Sequence, residues 1–310
     1  MNQNTHKAPP PLKAGCRVAI VATARKINTT DLDATIQLLH SWGLDVVVPQ
    51  GVEATYGQLA GTDDHRAKLL QQAIDDTSIH AILCACGGYG TVRIIDRIDF
   101  SSLQTNPKWI IGYSDITVLH SHIHQHTSCQ TLHAIMPINI THDALLNSTP
   151  ATNTLHDLLF GLPIQPYAIP PHKLNQAGTA TAPVVGGNLS ILYSLCGSDS
   201  DIDTRGKILM IEDIDEYLYH IDRMMQNMQR TGKLSQLAGL IVGQFTDMHD
   251  NAVPFSSDAY HIISQYTQNY DYPVLFNAPF GHVGTRNLAI PIGSVISITV
   301  HDNQPSTIQL

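Results

Sequence analysis

The chain has 310 residues, 43% of them apolar and 14% charged, and its 17 basic against 26 acidic residues give a formal charge of −9. This composition excludes a disordered chain, and the acidic balance argues against a nucleic-acid or anionic-membrane partner, either of which would call for a basic face. Five cysteines (Cys16, Cys84, Cys86, Cys129, Cys196) are too few and too scattered for a disulfide framework and fit reduced thiols. The first dozen residues are polar and Pro-rich without the apolar core of a signal peptide, and no apolar run approaches the roughly 18 residues of a membrane span. The expectation is a soluble, cytoplasmic protein of two ordinary-sized domains.

In chain order, residues 1–11 read as a flexible tail. A buried strand is expected at 17–22, a helix at 29–42 closed by Gly43, and a strand at 44–48. A helix with Leu69, Leu70, Ala73 and Ile74 on one face is expected at 63–75. A third strand at 79–86 runs into Gly87-Gly88-Tyr89-Gly90, and a short helix at 93–98 follows. Trp109-Ile110-Ile111 is a further apolar strand that turns at Gly112-Tyr113-Ser114-Asp115 into a helix beginning with Ile116, Leu119 and His120. Strands alternating with helices predict an α/β fold with a parallel sheet covered on both faces, and ligands in such folds sit at the carboxyl ends of the strands. The Pro-rich stretch 162–178 reads as a linker between a domain at 12–161 and one at 179–310. In the second, strands at 207–212, 237–242, 274–276 and 295–300 surround helices at 187–196 and 217–230, a rhythm that suggests a mixed barrel or sandwich.

Several stretches could carry chemistry. Ser114 stands at a strand-to-helix corner, the geometry of a nucleophile elbow, although Ile116 replaces the second Gly of G-x-S-x-G; a plain helix cap is the competing reading. Gly87–Gly90 offers bare backbone N–H groups for a phosphate or an oxyanion, or is simply a tight turn. A strand end delivers Glu212, with Asp213, Asp215 and Glu216 close behind, and a loop presents His282 between Gly281 and Val283-Gly284. The helix bearing His120, His122, His124 and His126 invites a metal, but H-E-x-x-H and accompanying ligands are missing, so no metal is expected.

Taken together, these segments resemble one family along nearly the whole chain. Residues 11–22, Gly87-Gly88-Tyr89-Gly90, Gly112-Tyr113-Ser114-Asp115-Ile116-Thr117, Gly186-Gly187-Asn188-Leu189-Ser190, Glu212-Asp213-Ile214-Asp215-Glu216, Tyr219-His220-Ile221-Asp222-Arg223-Met224 and Gly281-His282 are similar, in order and spacing, to the LD-carboxypeptidases. These serine peptidases include muramoyl-tetrapeptide carboxypeptidases and microcin-immunity peptidases. The resemblance implies an N-terminal Rossmann-like parallel-sheet domain joined to a C-terminal swivelling β-barrel-like α/β domain. It implies a Ser114–Glu212–His282 triad with the backbone amides of Gly88 and Asp115 as the oxyanion hole, no cofactor, and a homodimer. Tyr89, Asn188 and Arg93 are candidate substrate contacts, with Arg93 or Arg223 gripping a terminal carboxylate. Cys86 stands where the family commonly has Arg, and Ala22-Thr23-Ala24 where it has Ala-Pro-Ser.

The function this implies is a serine carboxypeptidase that hydrolyses an L,D-amide and releases the terminal D-Ala of a muropeptide tetrapeptide in cell-wall recycling. One alternative is an immunity-type peptidase acting on a peptidyl-nucleotide antibiotic. Another, of a different class, is a nucleotide-binding kinase, because Gly87-Gly88-Tyr89-Gly90-Thr91 resembles the Gly-Gly-Asp-Gly-Thr loop of NAD and lipid kinases; Tyr89 takes the place of its Asp.

Overall fold

The computed structural model describes residues 6–142 and 147–310. Strands β1 (Arg17–Val21), β3 (Ile79–Cys84) and β4 (Trp109–Gly112) are apolar on both faces, which suits only a sheet covered on both sides. With β2 (Asp45–Val47) and β5 (Thr131–His133) they form a parallel sheet in the order β5-β4-β3-β1-β2. Helices α1 (Asp33–Ser41) and α4 (Pro150–Leu159) put Leu38, Leu39, Leu155 and Leu159 against Val18, Ile20, Leu83 and Ile111 on one face. Helices α2 (Asp63–Asp75) and α3 (Thr117–His126) put Leu70, Ile74, Leu119 and Ile123 against Val21, Ile82 and Ile110 on the other. In this strand order the chain reverses its direction of winding between β1 and β3, so the loops that follow these two strands open a crevice there.

The second sheet is mixed, in the order β10-β9-β8-β7-β12-β13-β6. Its parallel part comprises β7 (Gly178–Asn188), β8 (Ile208–Ile214), β9 (Gly239–Thr246) and β10 (Val274–Leu275). Antiparallel pairing adds β12 (Val295–Val300), β13 (Ser306–Gln309) and β6 (Tyr167–Ile169). Helices α5 (Leu189–Leu195), α6 (Leu218–Arg230) and α7 (Ala259–Thr267) cover one face through residues such as Leu192, Met224 and Ile263. No described helix is long and apolar enough to cross a membrane.

Several elements depart from the sequence reading. The expected helix at 29–42 begins as a 3-10 turn, Thr29–Leu32, before α1, and the helix expected at 93–98 is two 3-10 turns, Thr91–Arg93 and Ile95–Arg97. The stretch 162–178 is more than a linker, since β6 lies within it and pairs with β13. A strand not foreseen, β11 (Ile290–Ile292), leaves the second half and pairs antiparallel with β5 at the edge of the first sheet, where Pro291 is tolerated. Residues 1–5 of the expected tail lie outside the described residues, while the part that is described is docked: the His6 ring stacks on His124, and Lys7 bridges to Cys129.

One buried cation ties the helical layer to the strand that leads to Ser114. Lys108, fully buried, directs Nζ at the carbonyls of Ala73, Ile74 and Asp76 (2.9, 2.6 and 2.6 Å), closing the end of α2. Burial holds its pKa below the usual lysine value. Lys108→Met strands these carbonyls and is expected to destabilise by about 2 kcal/mol. A lower urea midpoint at unchanged slope would show it, and an unchanged midpoint would refute it.

Candidate active site

β4 ends at Gly112, and two residues later Ser114 takes φ +61°, the left-handed region that a non-Gly residue enters at a cost of about 1 kcal/mol or more. A 3-10 turn, Ser114–Ile116, then feeds α3. The surroundings hold this strained corner. His120, buried in α3, bonds the Gly112 carbonyl through Nε2 (2.9 Å) and Thr131 Oγ1 through Nδ1 (2.8 Å). Burial pulls His120 down to about 4, so it stays neutral. Asp115 turns its carboxylate inward, where Oδ2 accepts the Thr91 N–H (2.9 Å), and burial raises its pKa. Buried Arg66 donates to the carbonyls of Thr23 and Gly90, joining the loop after β1 to the glycine loop. Gly87 faces the hydroxyl: a Cβ there would lie 3.1 Å from Ser114 Oγ and 3.0 Å from its Cβ.

Glu212 lies in β8 with no exposed surface, and its Oε2 is 2.8 Å from His282 Nδ1. An ionised carboxylate only accepts, so Nδ1 carries the proton and Nε2 keeps its lone pair. A register break in the β8–β9 ladder falls at Glu212, between the pairs Ile211–Val242 and Asp213–Phe245, and such bulges re-aim side chains. Within that break, Gln244 N–H donates to the Phe280 carbonyl (3.0 Å), fastening the loop that carries His282. Gly281, at φ +103°, passes so close that a Cβ would lie 2.8 Å from Glu212 Cβ. The Tyr113 ring packs on His282 with centroids 4.8 Å apart, and its hydroxyl donates to Asn139 Oδ1 (3.0 Å). Burial depresses the imidazolium of His282, but the hydrogen bond and charge of Glu212, with Asp213 and Asp247 behind, outweigh it and leave His282 above its ordinary value.

Of the acids that the sequence left open, Glu212 touches the histidine and its neighbours have other partners. Asp213 accepts from Asn188 Nδ2, Ser190 N–H and Ile214 N–H (2.8, 2.8 and 2.9 Å), and burial beside Glu212 raises it to about 7. Asp215 bonds His249 at 2.5 Å. The two halves meet at Thr117, the first residue of α3, whose Oγ1 accepts the Asn188 N–H (2.9 Å) and sits where a Cβ on Gly187 would collide.

Ser114 and His282 line one cleft of about 620 Å³, together with Gly88, Asp115 and Asn188. Tyr89 and Arg93, expected as substrate contacts, are absent from its lining. Tyr89 is exposed, and Arg93 is committed to Asp63, with Nε and Nη2 at 2.9 and 2.8 Å from its carboxylate. Arg223 also lies outside the lining and stacks over Tyr219 at 5.2 Å. The cleft's cations are instead Arg25 and Lys26, in the loop after β1. The rule that singled out the ends of β3 and β4 would have singled out this loop as well. Cys86 Sγ donates to the Arg25 carbonyl (3.1 Å), and burial pushes its thiol up to about 12, which leaves it unreactive. His122 bonds Ser200 Oγ and His126 the Asp199 carbonyl (2.9 and 2.7 Å). Among the described residues no group of three or more His, Cys, Asp or Glu gathers as a metal ion would require.

Comparison with known proteins agrees along the chain. The LD-carboxypeptidase N-terminal domain matches residues 18–134 and the LD-carboxypeptidase C-terminal domain residues 181–298. The chain is 38% identical to a probable murein peptide carboxypeptidase of Bacillus subtilis over 92% of its own length and 89% of that protein. It is 31% identical to the murein tetrapeptide carboxypeptidase of Pseudomonas aeruginosa, over 89% and 91%. The fold is that of the muramoyltetrapeptide carboxypeptidase from Oxalobacter formigenes (TM-score 0.83, 23% identity, 94% and 98% covered). The MccF-like protein from Bacillus anthracis shares it (TM-score 0.83, 22% identity, 98% and 99% covered). A strained serine corner, a carboxylate-bound histidine across the same cleft, and matches spanning both halves thus place the chain in the LD-carboxypeptidase family of serine peptidases.

Proposed function

We propose that this enzyme is a serine L,D-carboxypeptidase that releases the terminal D-Ala of a muropeptide tetrapeptide. The observation that carries the reading is the Glu212–His282 hydrogen bond beside the cleft that Ser114 also lines. Ser114 Oγ attacks the carbonyl carbon of the last amide while His282 Nε2 takes the hydroxyl proton. Glu212 stabilises the imidazolium so formed and holds the ring in one tautomer. The negative charge moves to the carbonyl oxygen, where the N–H groups of Gly88 and Asp115 receive it, each worth about 3 kcal/mol in the transition state. The C–N bond then breaks, His282 returns the proton to the departing D-Ala amine, and water activated by the same histidine hydrolyses the Ser114 ester.

Muropeptide is preferred over a peptidyl-nucleotide because relatives at 31–38% identity carry murein carboxypeptidase names, whereas the Microcin C7 self immunity protein MccF is 20% identical. A kinase role for Gly87–Gly90 finds no support in the family match, and Gly87 packs against the Ser114 hydroxyl. A cytoplasmic site of action and a homodimer belong to the same proposal. The first is supported by five cysteines without a disulfide, the second by the family resemblance.

In assays of D-Ala release from L-Ala-D-Glu-diaminopimelate-D-Ala, kcat/KM is expected to rise with pH through a midpoint above the ordinary histidine value, since only neutral His282 accepts the proton. Glu212→Gln removes the contacts that raise His282, so the midpoint moves to lower pH and kcat falls by roughly 10³–10⁴; an unmoved midpoint would separate Glu212 from the base. Ser114→Ala is expected to cost about four orders of magnitude or more. A serine-directed phosphonate should label Ser114 in the wild type and fail to label it in His282→Ala, as intact-mass measurement would report. Equal labelling of both would remove His282 from the mechanism.

A further inference from the structure

The charges that line the cleft are unequally occupied. Its carboxylates are engaged: Asp115 with the Thr91 N–H, Asp213 with Asn188 and Ser190, Asp215 with His249, and Glu216 with His220. Its cations, Arg25 and Lys26, have no side-chain hydrogen bond or ion pair among the described residues. Arg25 has a fixed root and a free arm. Its N–H donates to the Gly87 carbonyl (3.4 Å), its carbonyl accepts from Cys86 Sγ (3.1 Å), and it bridges to Leu59. The arm lies over Gly88, where a Cβ would come within 2.6 Å of Nε, so Gly88 at φ +101° leaves the guanidinium its course. The adjoining Gly87 is the residue that faces Ser114 Oγ. The guanidinium stem is therefore rooted at the crevice between β1 and β3 and crosses the turn that borders the nucleophile.

We propose that Arg25 grips the free carboxylate of the residue being released, and so makes this an exopeptidase cleft. The inference rests on the carboxypeptidase reading above. In a peptide, the terminal carboxylate carbon is separated from the scissile carbonyl carbon only by the amide nitrogen and one Cα, within about 4 Å. Its recognition must come from a group beside the oxyanion amides. Arg25 crosses Gly88, one of those amides, and a guanidinium fork matches a carboxylate in a bidentate pair. Arg93, held by Asp63 outside the cleft, is not available for this task.

The test compares the tetrapeptide L-Ala-D-Glu-diaminopimelate-D-Ala with its C-terminal carboxamide, in the wild type, Arg25→Gln and Arg25→Lys. For the free acid, Arg25→Gln is expected to lower kcat/KM roughly 30-fold or more, chiefly through KM, with partial recovery in Arg25→Lys. The carboxamide should be a poor substrate of the wild type and change less than about threefold in Arg25→Gln, because the paired charge is already missing. Equal losses on both substrates would mean that Arg25 only supports the loop and would overturn the proposal. So would an unchanged free-acid rate, or a loss found in Lys26→Gln in place of Arg25→Gln. Absence of release by the folded wild type would instead overturn the carboxypeptidase reading, and the proposal with it.

Discussion

A carboxylate with no exposed surface needs a donor, and Glu212 has His282. Breaking a buried pair of this kind by removing one partner costs about 3–5 kcal/mol, because the other charge stays behind. The neighbouring backbone serves the contact. The break in the β8–β9 ladder turns Glu212 towards the loop, Gln244 fastens that loop at Phe280, and Gly281 provides the close passage a side chain would block. Glu212 Oε1 has no protein partner among the described residues, so the hydrogen bond to His282 is the carboxylate's one side-chain contact there, while its charge also raises the neighbouring Asp213 and Tyr113. The same pairing that holds the ring in one tautomer favours its protonated form, and this is why His282 ends above its ordinary pKa despite burial.

The serine corner has a complementary arrangement. The left-handed backbone at Ser114 is sustained from three sides: His120 on the Gly112 carbonyl, Asp115 on the Thr91 amide, and Thr117 on the Asn188 amide. The last of these crosses from the first sheet's layer to the end of β7, adjacent in its sheet to the strand that carries Glu212. Thus Ser114 and the Glu212–His282 pair are referenced to each other through Thr117 and Asn188 as well as through the cleft. Much of the polar chemistry buried near the site is scaffold, and His120 of α3 belongs to it.

The parallel core was legible because continuous apolar runs at 81–84, 109–111 and 208–211 have no amphipathic alternative, and the Gly and Ser punctuation after the first two marked strand ends of the kind at which ligands bind in such folds. Ser114, Glu212 and His282 were singled out only as a set. Each alone is an ordinary cap, loop acid or loop histidine, and the resemblance in order and spacing joined them. What the sequence concealed was tertiary. Arg93 and Arg25 both follow strand ends, and nothing local reveals that Asp63 captures the first while the second has no side-chain partner among the described residues. Strand β11 was hidden by Pro291, which is compatible only with an edge, and β6 by the prolines around it. The 3-10 turns at 91–97 have helix-like composition but lack the length to continue as α-helix.

The return of β11 to the first sheet bears on how the chain becomes an enzyme during synthesis. The other strands of that sheet lie within residues 17–133, yet its last edge is filled only by residues 290–292. A nascent chain holding the Ser114 corner therefore waits, with β5 uncapped, through the translation of nearly the whole second half. The edge left open is brief, Thr131–His133, which limits the surface offered to a stray strand from another chain. His282 lies on the segment between β10 in one sheet and β11 in the other, so its loop is anchored at both ends only when that late pairing closes. Docking of the His282 loop and completion of the first sheet thus coincide, and a truncated translation product would carry Ser114 without His282.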